Sequence, residues 1–472
     1  MRRWGKGVLV TVPFLFVVLA RRLCRPLAVW GVALLAACNP GKGKTAYVGA
    51  TLWDGAGGPP VPDAVVIVTA SGHIERAGPP DVVKVPRGAA LVRVDGKWII
   101  PGLIDAHAHA ERWTLPRFLA YGVTAVRDLG GQQDSIVALR EATSLGGVPG
   151  PRLYISGAMI DGTPATWRTA TVAATENAAR RAVDRRALLD ATQAKVYTKI
   201  DAARLAAILD EASAVSLPVT GHLGKVDAVS AARMGIRAIE HLSGVVEGSV
   251  ADPTPYFQAH DDFFRGWNLA ERGWATLDPA RLERTAQVLQ PARVALVPTL
   301  ALHQVWAHLE DSTYLVTLDL TGVPTSVQEA WDVPDLIARA RLGFDDYLAF
   351  RRSRPVQDRF VHLYQAKGGL VAAGSDAPNQ LLAPGASLHD ELALLVAARL
   401  TPRQALLAAT SNGARLLGVD SIGVVRAGAV ADFVVLAASP LDDIKNTRKI
   451  EAVVSRGLYR TVTELRALWR AR

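Results

Sequence analysis

Two histidines separated by a single residue follow an apolar run in the first quarter of the chain. The stretch "PGLIDAHAHA" at residues 101–110 contains His107 and His109, two of only ten histidines in 472 residues. Side chains at positions i and i+2 of a strand point to the same face, so both imidazoles could face one ion. Neutral imidazole is a common ligand of zinc and related metals, which makes a metal site one interpretation. A surface turn that carries the pair by chance is the other.

Four further side chains that could bind a metal or move a proton stand near the ends of short apolar runs. Lys195 lies in "AKVYTKI", His222 ends "PVTGH", His241 ends "AIEH" and Asp376 ends "VAAGSD". Each has an ordinary structural explanation, such as a core histidine, a helix cap or a solvated lysine. Because all of them recur at the ends of successive apolar runs, we instead predict that they build one site together.

The elements that would position these residues alternate along residues 101–416. Short apolar runs such as "VTAVRDL", "RLYISGA" and "VALVPTL" are typical of buried strands, whereas "DAARLAAILDEASAV" is typical of a helix. About eight such units predict an α/β fold, a (β/α)8 barrel of the TIM type, rather than an open sheet. The C-terminal ends of parallel barrel strands meet at one face, and the candidate residues fall at those ends.

Strand-like segments flank this barrel region on both sides. Residues 45–100 contain "DAVVIVTASGHIERAG", and residues 417–460 contain "VVRAGAVADFVVLAAS" and "IEAVVSRGLYR". Both segments have β-branched runs divided by glycine and other turn residues. We therefore expect strand-rich layers at both ends of the barrel region, followed by a C-terminal tail at residues 461–472.

The first 37 residues resemble a targeting segment. Their two apolar runs, at residues 8–20 and 27–37, are short for a bilayer span but typical of a secretory signal peptide. The second run leads into "LAAC" and resembles a bacterial lipoprotein signal, in which Cys38 becomes the lipidated first residue and residues 38–44 form a tether. An ordinary signal peptide, an N-terminal anchor and a start codon near Val17 or Val18 stay open. Asn39 favours an outer-membrane location facing the periplasm, with the lipid as the membrane anchor.

Charge and cysteine content exclude several classes of protein. The formal net charge of +9 falls to +3 without the six basic residues of the first 37, which leaves no basic surface for nucleic acid. Cys24 and Cys38 are the only cysteines, so the expected mature domain has no internal disulfide and no cysteine nucleophile. The chain also lacks a Walker-type glycine loop and a Gly-x-Ser-x-Gly motif.

Taken together, these motifs resemble the amidohydrolase superfamily of metal-dependent hydrolases. The resemblance is carried by "PGLIDAHAH", "GVTAVRDLGG", "AIEHLSG", "AAGSD" and "GARLLGVDSIGVVRAGAVADFVVL", and it covers residues 45–460. Within the superfamily the chain is most similar to the imidazolonepropionase-like and prolidase-like group. The resemblance implies a distorted (β/α)8 barrel whose terminal segments join into a β-sandwich. One departure is "VVRAGAVADFVVL", where relatives carry a Pro-Gly-Lys turn, and it touches only the sandwich.

The resemblance also implies a binuclear metal site and a mechanism. His107, His109 and Asp376 would hold a first divalent ion, and His222 and His241 a second, with zinc as the expected metal. Lys195, carboxylated to a carbamate, would bridge the two ions, because two neighbouring cations need an anion between them. Lys199 is the alternative lysine, although its place just before the expected helix cap Asp201 is typical of a loop. Asp376 would then serve as the general base and afterwards as the general acid.

The substrate is only coarsely indicated. The resemblance suggests a small-molecule amide, namely a dipeptide, an N-acyl amino acid or a cyclic amide, with lactones also open. Aromatic residues in segments 243–292 and 303–335 suit an apolar pocket or mere lid packing, and Tyr197 could reach the substrate. A mononuclear deaminase or cyclic-imide hydrolase is an alternative, but "HLGKVD" after His222 lacks the glutamate that such deaminases carry. A non-enzymatic envelope scaffold is a third possibility, and the oligomeric state stays unknown.

Overall fold

The computed structural model describes residues 40–469. The predicted signal segment, Cys38 and residues 470–472 lie outside this range. Among residues 40–469, no helix has both the length and the apolar character needed to cross a membrane. Residues 40–44, expected to be a tether, form a turn, and Lys44 pairs there with Glu75 at 2.7 Å.

Short strands and short helices alternate through most of this range. The strands are β1 (Thr45–Leu52), β2 (Val61–Val68), β3 (Ile74–Gly78), β4 (Ala90–Arg93), β5 (Trp98–Pro101), β6 (Leu103–Ala108), β7 (Val123–Asp128), β8 (Arg152–Ile155), β9 (Ile160–Asp161), β10 (Thr171–Val172), β11 (Ala194–Val196), β12 (Val219–Gly221), β13 (Ala238–Glu240), β14 (Ala295–Val297), β15 (Phe433–Leu436), β16 (Ile450–Ser455) and β17 (Leu458–Thr461).

The helices lie mainly between and after the parallel strands. They are α1 (Leu115–Ala120), α2 (Gln133–Ser144), α3 (Glu176–Leu188), α4 (Ala202–Ala214), α5 (Ala228–Met234), α6 (Val245–Ser249), α7 (Thr254–Ala259), α8 (Phe263–Gly273), α9 (Pro279–Leu289), α10 (Leu300–Trp306), α11 (Ser312–Leu315), α12 (Thr325–Ala330), α13 (Val333–Ala340), α14 (Phe344–Ala366), α15 (Ala386–Ala397), α16 (Pro402–Ala408), α17 (Ser411–Leu417) and α18 (Val462–Ala467). Asp201 caps α4 as expected, and its carboxylate accepts the Arg204 backbone N–H at 3.0 Å.

Two parallel sheets form the central part of the fold. One has the order β6-β7-β8, and the other has the order β10-β9-β11-β12-β13-β14. Backbone hydrogen bonds link their edges, from Thr192 N to Ile155 O on one side and from Ala372 N to Leu296 O and Ala106 N to Ala373 O on the other. These links join the strands as in a (β/α)8 barrel.

The segment that closes the ring is less regular than predicted. Residues 370–376 were expected to be a full strand, but they contribute only isolated bridges, Leu296 with Val371 and, just beyond, Ala108 with Ala377. A Cβ atom on Gly374 would lie 2.7 Å from Val297 and 2.8 Å from His107. Glycine at this position therefore permits the close approach that brings the segment beside β6.

The two ends of the described chain meet in a separate sheet, as expected. Its order is β17-β16-β15-β5-β1-β2-β3, with β4 paired to β1, and β15 is antiparallel to β5. The expected sandwich is therefore one hydrogen-bonded sheet of eight strands. Residues 424–432 form no regular strand: Gly428 adopts a left-handed backbone with φ of 83° in a turn, and Val430 makes only an isolated bridge with His73.

The last described residues are helical rather than a tail. Thr461 and Glu464 form a capping box at the start of α18, and Leu465 is almost completely buried. The cap satisfies the backbone donors at the helix start, while the buried leucine attaches α18 to the core.

Candidate metal centre

The two histidines of the opening motif lie at the end of β6, beside Asp376. Oδ1 of Asp376 is 3.1 Å from Nε2 of His107 and 3.1 Å from Nε2 of His109. The His107 side chain is buried, whereas that of His109 is 31% exposed. The barrel thus brings Asp376 beside two histidines that lie more than 260 positions earlier in the sequence.

Two further imidazoles complete the cluster. The ring centroid of His241 is 4.4 Å from that of His107 and 4.8 Å from that of His222. Ligand atoms of His107, His241 and Asp376 all lie within 4.8 Å of one another, which is close enough to share an ion. This tight group pairs His107 with His241, whereas the sequence analysis assigned those two histidines to different ions.

Lys195 projects from β11 into the same cluster. Its side chain is 1% exposed, and its Nζ atom has no hydrogen-bond partner among the described residues. Burial lowers the pKa of Lys195 to about 8, although Glu240 raises it. A buried amine without a partner is costly unless a further group occupies its surroundings. Lys199 is outside the cavity lining, and its backbone N–H donates to Asp161.

Burial shapes the charge of the cluster. It lowers the pKa of His222 and of His241 well below the usual range, because a buried imidazolium lacks water. Burial alone would raise the pKa of Asp376, but His241 and His107 outweigh it and hold that pKa well below the usual range. The neutral imidazoles of His222 and His241, an ionised carboxylate and a buried lysine are a donor set that fits divalent metals.

The backbone at two of the candidate ligands is strained. Asp376 and His241 have φ angles of 59° and 56°, and Thr299, which contacts His241, has a φ of 47°. Residues other than glycine rarely adopt this left-handed region, and they cluster at functional sites when they do. Thr299 Oγ1 lies 2.8 Å from Nδ1 of His241, so that Nε2 is left to face the cluster.

Glu240 was overlooked by the sequence analysis. One of its oxygens lies 2.7 Å from Nδ1 of His107, and the other accepts Arg127 at 2.9 Å and Thr220. Burial raises the pKa of Glu240, but Arg127, Lys195 and His107 outweigh it and hold it well below the usual range. The sequence did contain a signal, because a charged residue inside the apolar run "AIEH" needs buried partners.

Two other buried carboxylates shape the loops around the cluster. Asp128 accepts the backbone N–H groups of Ala110 at 2.7 Å and Gly131 at 3.1 Å. Asp105 accepts the Ser375 hydroxyl at 2.5 Å, next to Asp376. Asp105 lies between apolar residues of β6, and Asp128 ends β7 two residues after the apolar run "VTAV", so the same buried-charge signal could have identified them.

The cluster opens into a cavity of about 360 Å³. All six candidate ligands line this cavity. Tyr197 lines it as well, and its ring is 4.8 Å from that of His222. Much of the remaining lining is aromatic and comes from α8 and α10, namely Phe263, Phe264, Trp267 and Trp306. A cavity of this size admits a small organic molecule at the cluster.

The chain matches a known protein family and several solved structures. The model of the amidohydrolase family matches residues 98–459. Among proteins with curated descriptions, none matches the chain. Solved structures do match: bottromycin amidohydrolase is 22% identical with a TM-score of 0.69, covering 91% of this chain and 89% of its own.

Two other solved structures share the fold over nearly their whole length. A prolidase complexed with N-methylphosphonate-L-proline is 22% identical, with a TM-score of 0.65, and the match covers 89% of this chain and 99% of the prolidase. Ochratoxinase from A. niger is 19% identical, with a TM-score of 0.64, and the match covers 88% of this chain and 95% of that enzyme. These likenesses establish the fold, and the family match extends through the whole barrel region. The chain is a member of the amidohydrolase family and a hydrolase that acts on carbon–nitrogen bonds.

Proposed function

We propose that this protein hydrolyses a small amide at a binuclear metal centre. The observation that carries the proposal is the convergence of four imidazoles and Asp376 around the buried, unpartnered amine of Lys195. His107, His109 and Asp376 would hold one divalent ion, and His222 and His241 a second. A carbamate on Lys195 would bridge both ions, and zinc suits the nitrogen-rich donor set.

Bound divalent ions supply Lewis acidity, which polarises a carbonyl group and makes water a stronger acid. The residues of the chain transfer the protons and orient the metal ligands. Asp376 is ionised and stands beside His107 and His109, so it can accept a proton from the attacking water. The same carboxyl group can then donate that proton to the leaving nitrogen. Glu240 and Thr299 fix the orientation of the His107 and His241 rings.

The solved structures with the same fold suggest the class of amide. They include a prolidase with a phosphonate analogue of a proline substrate, an enzyme named for bottromycin and an ochratoxinase. We propose a dipeptide, an N-acyl amino acid or a cyclic amide as the substrate. Tyr197 lines the cavity beside His222, and we propose that it contacts this substrate.

A mononuclear enzyme of the same superfamily is the second candidate. The tightest donor group consists of His107, His241 and Asp376 alone, which is enough for one ion with an open position. Such a centre would suit a deaminase or a hydrolase of cyclic imides or lactones. Metal stoichiometry separates the two candidates.

The experiment is a metal count combined with a substrate screen. Protein purified with bicarbonate and excess zinc should contain two metal ions per chain by mass spectrometry. It should hydrolyse some members of a panel of dipeptides, N-acyl amino acids and cyclic amides, and a chelator should abolish that activity. One ion per chain, with turnover restricted to imides, lactones or amino-purines, would favour the mononuclear candidate. Two ions without turnover of any amide would contradict the proposal.

A further inference from the structure

Three aromatic residues of α8 cover one side of the metal cluster. The ring of Trp267 is 5.6 Å from that of His222 and 6.2 Å from that of His241. Phe263 lies 5.9 Å from His222, and Phe264 lies 5.3 Å from Phe263. Together with Trp306 of α10 these residues form a surface that we term the aromatic wall. The wall begins at the candidate ligands, so it borders the position where a scissile amide would bind.

The aromatic wall is held from behind by packing and by buried polar groups. The Trp267 ring stacks on His303 at 5.4 Å, and Nδ1 of His303 lies 2.9 Å from Glu271. Phe264 stacks on Trp306 at 6.2 Å with an interplanar angle of 6°. The indole N–H of Trp306 donates to Asn268 at 3.3 Å. A surface fixed in this way loses little conformational entropy when a flat ring packs on it.

A cationic side chain stands at one end of the aromatic wall. The Arg339 guanidinium is 5.9 Å from the centre of the Phe264 ring, and it lines the same cavity. Asp335 engages its Nε atom at 2.5 Å, which leaves the two terminal nitrogens of the guanidinium as donors for an anion. Apart from Lys195, Arg339 is the only lysine or arginine that lines the cavity within the described residues.

The other polar residues of the lining, away from the metal cluster, carry no positive charge. Glu111, Asn379 and Gln380 offer a carboxylate and amides but no cation. An anionic group on the substrate is therefore favoured beside Arg339, next to the aromatic wall, and disfavoured near Glu111. The combination of a ring-binding surface with an adjacent guanidinium matches a molecule that carries an aromatic ring and a carboxylate close together.

On the basis of the proposed function, we propose that the substrates are N-acylated aromatic amino acids. The aromatic side chain packs on the aromatic wall, and the α-carboxylate binds Arg339. Hydrolysis breaks the amide C–N bond: the oxygen of water joins the acyl carbon to give a carboxylic acid, and hydrogen passes to the nitrogen to give the free aromatic amino acid. Phe264 and Arg339 are then the residues that determine specificity.

Three substrates test this proposal on the metal-loaded full chain. N-acetyl-L-phenylalanine should have a kcat/KM at least about tenfold above that of N-acetyl-L-alanine, because the methyl group of alanine is too small to pack against the aromatic wall. N-acetyl-L-phenylalanine amide, which lacks the carboxylate, should also be about tenfold worse. Equal values for all three substrates would overturn the proposal.

Two variants, each with a matched control, assign the effects to residues. Phe264→Ala should lower kcat/KM for the phenylalanine substrate about tenfold and change that for the alanine substrate less than about twofold. Arg339→Gln should remove the preference for the free carboxylate, and Arg339→Lys should restore part of it. Phe344→Ala, at a residue 70% exposed on α14, and Arg352→Gln on the same helix should leave both preferences intact.

A binding measurement separates this inference from the proposed function. L-phenylalanine, the expected product, should bind the metal-loaded protein at least about tenfold more tightly than L-alanine by calorimetry, and Phe264→Ala should remove the difference. If small dipeptides or cyclic amides are hydrolysed but neither preference appears, the inference fails and the proposed function stands. If no amide is hydrolysed although L-phenylalanine binds selectively, the proposed function fails. The aromatic wall would then still be a binding surface for aromatic amino acids.

Discussion

Glu240 lies 2.7 Å from Nδ1 of His107, and both side chains are almost completely buried. Because the carboxylate is held ionised by Arg127 and its other neighbours, Nδ1 must carry the proton of this hydrogen bond. Nε2 is then the ring nitrogen that faces Asp376, at 3.1 Å from its Oδ1. The pair thus determines the tautomer in which His107 can act as a metal ligand.

We predict that Glu240→Gln weakens metal binding by about ten- to a hundredfold, because the neutral amide holds the His107 ring less firmly. Competition with a chromophoric chelator measures the affinity, on protein whose fold is verified by circular dichroism. Glu283→Gln, at a surface residue that pairs with Lys367, is the matched control and should keep the native affinity. An unchanged affinity in Glu240→Gln would show that the contact has no role in metal binding.

The lysine substitutions test the bridging carbamate. Carbon dioxide reacts with an unprotonated amine, and the pKa of Lys195, lowered by burial to about 8, makes that form accessible near neutral pH. Lys195→Ala should lose at least one metal ion and reduce turnover by about a hundredfold or more, because it removes the anion between two cations. Metal analysis and kcat/KM measure both effects, and added acetate or propionate should restore part of the activity.

Lys199→Ala is the control for this experiment. Lys199 does not line the cavity, so its loss should change metal content and rate little. A metal-poor, inactive Lys199→Ala with a normal Lys195→Ala would mean that the wrong lysine was chosen. If neither variant changed metal content or rate, the single-metal alternative would replace the carbamate bridge.

The buried carboxyl group of Glu391 on α15 predicts a pH-dependent stability. Burial raises its pKa to about 8, although the backbone N–H of Ala301 donates to it at 2.8 Å. Between its ordinary pKa and 8 the folded state binds more protons than the unfolded state, so the stability conferred by this group falls as pH rises through that window. The slope is at most about 1.4 kcal/mol per pH unit.

Glu391→Gln should remove this slope. Relative to the unaltered protein, the variant should therefore gain free energy of unfolding between pH 5 and pH 9. Urea denaturation at pH 5, 7 and 9 measures the difference, with the exposed Glu329→Gln as a control that should keep the original slope. A constant difference across the three pH values would show that Glu391 ionises with an unshifted pKa.

We also propose that the protein is anchored to the outer membrane through Cys38. This residue lies outside the described part of the chain, and the proposal rests on the "LAAC" sequence alone. Cys38→Ala should release the protein from the membrane fraction or block its maturation, because it removes the residue that would carry the acyl chains of the anchor. Fractionation and mass spectrometry of the N-terminus are the measurements, and Cys24→Ala is the control. A soluble, unlipidated mature form of the unaltered protein would refute the anchor.

The positions of the candidate ligands were predictable because they obey local rules. Alternation within a strand places His107 and His109 on one face, and the barrel pattern predicts His222, His241 and Asp376 at the same end of the barrel. The cap at Asp201 is likewise specified by a short segment, whereas the meeting of the two chain ends in one sheet was implied by the family resemblance. The sequence alone therefore determined the fold class and the residues that converge.

Only the tertiary structure decided how these residues are held and what surrounds them. Glu240 contacts His107 across 133 residues of chain, and the aromatic wall combines α8 with α10. Neither relationship follows from periodicity, because the first is a contact between β6 and β13 inside the barrel and the second depends on which helices pack against each other. The same holds for the shortened last barrel strand and for α18, which the sequence analysis took for a tail. Local patterns specify which face a side chain occupies, whereas contacts between distant segments depend on how the whole chain packs.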